Sequence, residues 1–326
     1  MSLDSDVIVD RRRIRRKLTF WRVLTVLLAV GGVVGVGLVL SPGGRNVLAT
    51  SGSIARVNIE GLIRSDHERV EALERLENSH AAAVVVHINS PGGTTAGSEQ
   101  LYDALVRLKA KKPLVVVVDG LAASGGYIAA IASDHIVAQQ SSLVGSIGVL
   151  FQYPNFSELL KTVGVKVEEV KSSPLKAAPN GFEPTSPEAR EALDALVKDS
   201  YAWFRGMVKD RRAMDDAQLE TVADGRVFTG RQAVGLKLID QLGDEKTAVA
   251  WLVAEKNVKK DLPVRDYKLE PRFGDLTFLR TAVSVVLDAC GLGAIARQVQ
   301  GAGIAQAIDR FGLDGMLALW HPAQPR

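Results

Sequence analysis

Cysteine is almost missing from this chain of 326 residues. Cys290 stands alone, which excludes an intramolecular disulfide and any CxxC metal or redox site. Histidine is scarce too: His67, His80, His87, His135 and His321 form no HExxH and no other close pair at ligand spacing, so neither a catalytic metal nor a cofactor is expected. A GxSxG nucleophile elbow is absent, because position 122 is alanine, and this removes the α/β-hydrolase arrangement. A net positive charge is missing from most of the chain. The formal net charge is +3, yet residues 1–22 carry seven basic and three acidic side chains, which leaves the remainder at −1. A nucleic-acid-binding face on the main domain is therefore not expected.

What the chain does have begins at its N-terminus. After the basic cluster Arg11–Lys17 comes 23-VLTVLLAVGGVVGVGLVL-40, eighteen residues with one threonine and no charge, preceded by Phe20 and Trp21 as interfacial anchors. That run is long enough to span a bilayer, and the charges before it predict residues 1–17 in the cytoplasm and the rest across the inner membrane, in the periplasm. The segment 47-VLAT-50 is a poor small-x-small cleavage site, so an uncleaved anchor is expected in preference to a signal peptide. The expected organisation is a basic segment over 1–17, a single-pass anchor over 18–41, a linker over 42–53, a main domain over 54–265 and a helical extension over 266–326. In that extension Arg280, Asp288 and Arg297 interrupt every apolar run long enough to span, which suits an amphipathic helix on a partner or on the bilayer surface.

Between these ends the pattern alternates strand and helix. Strands are expected at 54–63, 82–89, 114–120, 134–138 and 165–170, and three of them are β-branched runs of the kind covered on both faces. Helices are expected at 67–79, 97–111, 124–133 and 156–164. A long helix should follow over 186–212, opened by Ser186-Pro187-Glu188, with shorter ones after it, including 244–257. This alternation argues for an α/β domain with a largely parallel sheet and flanking helices.

Two strand-to-helix junctions carry possible chemistry. In 87-HINSPGGTTAG-97 a buried strand ends in Pro-Gly-Gly, where glycine exposes backbone N–H groups to negative charge; an ordinary tight turn accounts for it equally well. In 119-DGLAASGGYIAAIASDHIVAQ-139, Ser124 follows an apolar strand and opens a helix among small residues. It is either a helix cap or a nucleophile, and the N–H of Gly125 with that of Gly92 or Gly93 could then receive an oxyanion. Its base is left open by the residues alone. His135 and His87 read more naturally as packed or supporting side chains. A lysine needs desolvation to lower its pKa from about 10.4 toward neutrality. The string 173-SPLK-176 matches SxxK, but no SDN or KTG accompanies it, so Ser173 is rejected as nucleophile.

Four segments in order, 88-INSPGGTTAGSEQLYDAL-105, 119-DGLAASGGYIAAIASDHIVAQQSSLVGSIGV-149, 168-EEVKSSPLKAAPNGFEPTSPEAR-190 and 225-GRVFTGRQAVGLKLIDQLGD-244, resemble the signal peptide peptidases of the SppA type. The resemblance spans roughly residues 54–255. It implies a Clp protease/crotonase-like fold and a membrane-anchored Ser/Lys-dyad protease that degrades signal-peptide remnants and other apolar peptides. It casts Ser124 as nucleophile and Lys176, 52 residues later, as general base. Ser146 would orient the lysine, and Gly92 and Gly125 would form the oxyanion hole. A Clp-type histidine about 25 residues after the serine is missing, because position 149 is valine. The resemblance also implies a homo-oligomeric ring in which serine and lysine come from adjacent subunits. The segment SSPLKAAP departs from the glycine-rich SGxxK of many members. Two other readings of the same fold are a crotonase-like acyl-CoA enzyme and a catalytically idle membrane scaffold.

Overall fold

The β-branched runs form the middle of a sheet. In the computed structural model, which describes residues 52–269 and 317–319, strands β1 (Ile54–Ile63), β2 (Ala83–Thr94) and β3 (Leu114–Ala123) lie parallel in the order β1-β2-β3. Their register sets Val57 beside Val86 and Val86 beside Val116. Alternate residues face opposite sides. Val84, Val86 and Ile88 pack on helices α1 (His67–Glu77) and α2 (Thr95–Lys111), while Ala83, Val85, Val115 and Val117 pack with Ala248 and Leu252 of a helix on the other face. Burial on both faces is why these strands are continuously apolar.

Beyond its midpoint the sheet bends. Strand β1 shifts register between Glu60 and Leu62, and β2 between Ile88 and Ser90. Strand β3 changes partner along its length: Val115–Val118 pair with β4 (His135–Ala138), whereas Leu121–Ala123 pair with β5 (Leu143–Gly145). The bulge this requires is secured by the buried Ser142 hydroxyl, which sits 2.9 Å from the Val118 carbonyl and 3.0 Å from that of Asp119. The bend turns the far ends of β2, β3 and β5 into a separate patch, and the candidate residues lie there.

The rest of the described chain completes these layers. Helix α3 (Gly125–Ala130) follows β3 and α4 (Ser157–Thr162) follows β5. Helix α5 (Pro187–Arg211) opens as expected, with the Ser186 side chain accepting from the Ala189 N–H and proline in the first turn. Next come α6 (Asp216–Val222), β6 (Val227–Thr229, antiparallel to β5), α7 (Gly230–Gly235), β7 (Gln241–Leu242, beside β4) and α8 (Glu245–Glu255), which covers the second sheet face. Strand β8 (Val264–Asp266) joins the outer edge of β1, and Tyr267 donates its N–H to the Arg56 carbonyl (2.7 Å), so the domain runs past residue 265. Strand β9 (Leu317–Leu319) pairs antiparallel with Gly92–Thr94. Those three residues fall in the extension expected to be helical; backbone pairing to the end of β2 makes them a strand instead.

One further expectation fails. Residues 165–170 are not a strand, because no neighbouring strand of the described chain offers them hydrogen bonds, and Val165, Val167 and Val170 stay exposed. Among the described residues no helix is long and apolar enough to cross a membrane; the anchor expected over 18–41 and the apolar segment 276–300 lie outside them.

Candidate active site

Ser124 lies between β3 and α3, at the position before the first helical residue, with φ 54° and ψ −117°. Left-handed backbone at a residue other than glycine costs about 1–3 kcal/mol and persists only where the surroundings impose it. They do so here. The Ser124 N–H donates to the Gly145 carbonyl (2.8 Å), and its carbonyl accepts from the N–H groups of Tyr127 and Ile128. The fully buried Tyr127 hydroxyl ties the helix down by donating to the Leu238 carbonyl (2.8 Å); burial raises the Tyr127 pKa, so the phenol stays protonated as a donor. The Ser124 side chain gives no cap bond to its own helix. Its hydroxyl lies 3.5 Å from the Gly148 carbonyl, longer than an ordinary O–H···O bond. A serine held in strain with its hydroxyl uncommitted is not behaving as a helix cap.

Ser146 occupies the equivalent place on the neighbouring strand. Ala122 pairs with Val144 and Ala123 with Gly145, so Ser124 and Ser146 step off adjacent parallel strands side by side. Ser146 shares the left-handed backbone (φ 52°), is buried, and is fixed by its N–H to the Arg226 carbonyl (2.8 Å). Among the described residues its hydroxyl makes no hydrogen bond.

The Pro-Gly-Gly turn abuts the same corner. A Cβ placed on Gly126 would lie 2.7 Å from the Ser90 carbonyl oxygen, so α3 reaches β2 only through a glycine. Gly92 adopts φ 101°, and its N–H donates to the Ser90 hydroxyl (3.1 Å), which itself donates to the Gly61 carbonyl (2.6 Å). An oxyanion would have to take the Gly92 N–H from Ser90. The N–H of Gly125 opens α3, where no preceding turn supplies an acceptor. The sequence offered no sign of the role of Ser90, whose hydroxyl holds this turn from within the core.

Lys176 is elsewhere in character. It lies in an exposed turn, its N–H donating to the Ser173 carbonyl (3.1 Å), and among the described residues its ammonium makes no hydrogen bond or ion pair. The structure thus brings together Ser124, Ser146, Gly92 and Gly125, and leaves Lys176 on a separate arm spanning residues 151–185. Both histidines weighed as bases support the scaffold. His87 sits between Asp119 (2.9 Å) and Glu245 (2.9 Å), and Glu245 also pairs with Arg56 (2.7 Å). His135 stacks on Trp251 with ring centroids 4.5 Å apart. Among the described residues no cluster of histidine, cysteine, aspartate or glutamate could hold a metal.

The fold is mixed α/β with a strained serine at a strand-to-helix turn, and its family follows from comparison with known proteins. The model of peptidase family S49 matches residues 106–259, and that of Clp protease matches 63–142. A provisionally named protease of Synechocystis is 34% identical over 226 residues, covering 69% of this chain and 82% of that protein. The chloroplast serine protease SPPA of Arabidopsis thaliana is 30% identical over 225 residues, 66% of this chain and 33% of that one. Among solved structures, a membrane-bound stomatin-specific protease aligns with a TM-score of 0.45 and 14% identity, over 66% of this chain and 97% of that chain. The chain belongs to peptidase family S49, the SppA-like proteases, and is a peptidase with the mixed α/β, mostly parallel architecture described above.

Proposed function

We propose that this peptidase is a serine endopeptidase with a Ser124/Lys176 dyad, anchored in the inner membrane by residues 18–41, that degrades signal-peptide remnants and similar apolar peptides. The observation that carries the reading is the pair of strained serines leaving β3 and β5 beside the Pro-Gly-Gly turn. Backbone strain clusters at active sites, and here two strained serines sit on adjacent strands with uncommitted hydroxyls. Neutral Lys176 takes the Ser124 hydroxyl proton as the oxygen attacks a peptide carbonyl, oriented by Ser146. The N–H groups of Gly125 and Gly92 hold the oxyanion. Lys176 then gives the proton to the departing amine, and the same lysine activates the water that hydrolyses the acyl-enzyme.

The arm supports an assembled site. Phe151, Phe156, Leu159, Val163, Val165 and Val170 are all exposed, more apolar surface than a single arm leaves in water without a partner to cover it. A ring of copies would bury that surface, and with it a lysine that is exposed among the described residues. The uncharged run 23–40 and the basic residues before it support the anchor and a periplasmic catalytic domain.

Intact mass after treatment with a serine-reactive fluorophosphonate tests the reading. Wild type should gain one adduct per chain, Ser124→Ala none, and Lys176→Ala should label far more slowly. An adduct on Ser124→Ala, or equal labelling of Lys176→Ala and wild type, refutes it. An acyl-CoA enzyme of the same fold would not label at Ser124 at all.

A further inference from the structure

Two lysines five residues apart on the arm are in opposite states. Lys176 has no partner among the described residues, whereas the Lys171 ammonium lies 2.6 Å from Glu169 and 2.7 Å from Glu183. Asn180 donates to Glu169 as well (2.8 Å), and its carbonyl oxygen accepts the Phe182 N–H (3.0 Å). The far side is tied to the root of the arm. Tyr153 and Thr185 share a hydroxyl bond (2.7 Å), and the Phe156 N–H donates to the Gly181 carbonyl (2.7 Å). Residues 172–177 between the two flanks are exposed and carry few bonds of their own.

We propose that Lys171 is a positioning residue for Lys176, closing the loop 172–179 by joining Glu169 on its entering strand of chain to Glu183 on its leaving one. Without it the Asn180 amide still reaches Glu169 (2.8 Å) and Glu183 (3.4 Å), but the two carboxylates lose the charge that offsets their repulsion, and the turn presenting Lys176 loses its ionic tie. The paired carboxylates raise the Lys171 pKa, Glu169 first, so it stays charged and is unfit to serve as the base itself. Exposed ion pairs contribute little to stability, so the clasp acts through placement and hardly through the fold. The inference rests on Lys176 being the base.

The test compares Lys171→Met, Lys171→Arg and Lys176→Ala in the full-length assembled protein, using an apolar fluorogenic peptide and the fluorophosphonate. Lys171→Met should lower kcat by about 10²-fold, the penalty of misplacing a catalytic group by an ångström, with KM and melting temperature nearly unchanged. Lys171→Arg, which keeps the charge, should recover most of the rate. Wild-type kcat in Lys171→Met overturns the inference, as does a loss that follows melting temperature. If Lys176→Ala is dead while Lys171→Met is normal, only the positioning role fails. If Lys176→Ala keeps its rate, the dyad fails with it.

Discussion

The corner that holds Ser124 and the arm that holds Lys176 are built on different principles. Around Ser124 almost every residue is buried, both serines are strained, and a methyl group on Gly126 would strike backbone. Along the arm, valines and phenylalanines face water, the hydrogen bonds are mostly local, and Val170 is fully exposed. Packing and hydrogen bonds within the chain specify the first region. Among the described residues the second is held by a few polar ties, such as Lys171 with Glu169 and Glu183, with most of its apolar side chains left exposed. The proposed dyad, split between such regions, would have its nucleophile placed by folding and its base by assembly.

The contrast can be broken at several strengths. Ser124→Ala and Lys176→Ala should each lower peptide cleavage by about 10⁴-fold or more, as expected when one member of a catalytic unit is removed, and steady-state rates will show whether the losses match. Gly126→Ala should destabilise the fold by about 1–3 kcal/mol in chemical denaturation, because the Ser90 backbone must give way. A smaller effect is expected at the clasp under α8. The Arg56 guanidinium, with His87 second among the attractive partners, holds the Glu245 carboxyl below its ordinary range, against the upward push of partial burial. A depressed carboxylate adds stability that is complete above the unfolded value of about 4.3 and is lost as pH falls through the folded one. Glu245→Gln should therefore flatten the acid limb of the stability curve by about 1 kcal/mol or less, since the pair is partly open to solvent. Smallest on the fold is Val170→Asp, expected within about 0.5 kcal/mol of wild type in denaturation. The same substitution should weaken assembly in light scattering, and that asymmetry separates arm from core.

The central strands were readable because continuous β-branched runs have few other uses, and α5 because Ser186-Pro187 marks its start. The corner was readable in part. Small residues around Ser124 pointed to it, but its pairing with Ser146 depends on β3 exchanging β4 for β5 at a bulge, a change of partner with no local signature. Short strands such as β6, β8 and β9 escaped because three residues show no periodicity. The segment 165–170 misled for the converse reason. Its alternating valines have strand character, yet a strand requires a neighbour, and the described chain supplies none.

The most direct test of a nucleophile placed by folding and a base placed by assembly is the rate of peptide cleavage after co-expressing Ser124→Ala with Lys176→Ala. Each variant alone should be inactive. Mixed assemblies should recover part of the wild-type rate, because some contain an intact Ser124 facing an intact Lys176 of a neighbouring copy. Mixed assemblies verified by mass that recover no activity would contradict the account, since both members of the dyad would then have to come from one chain.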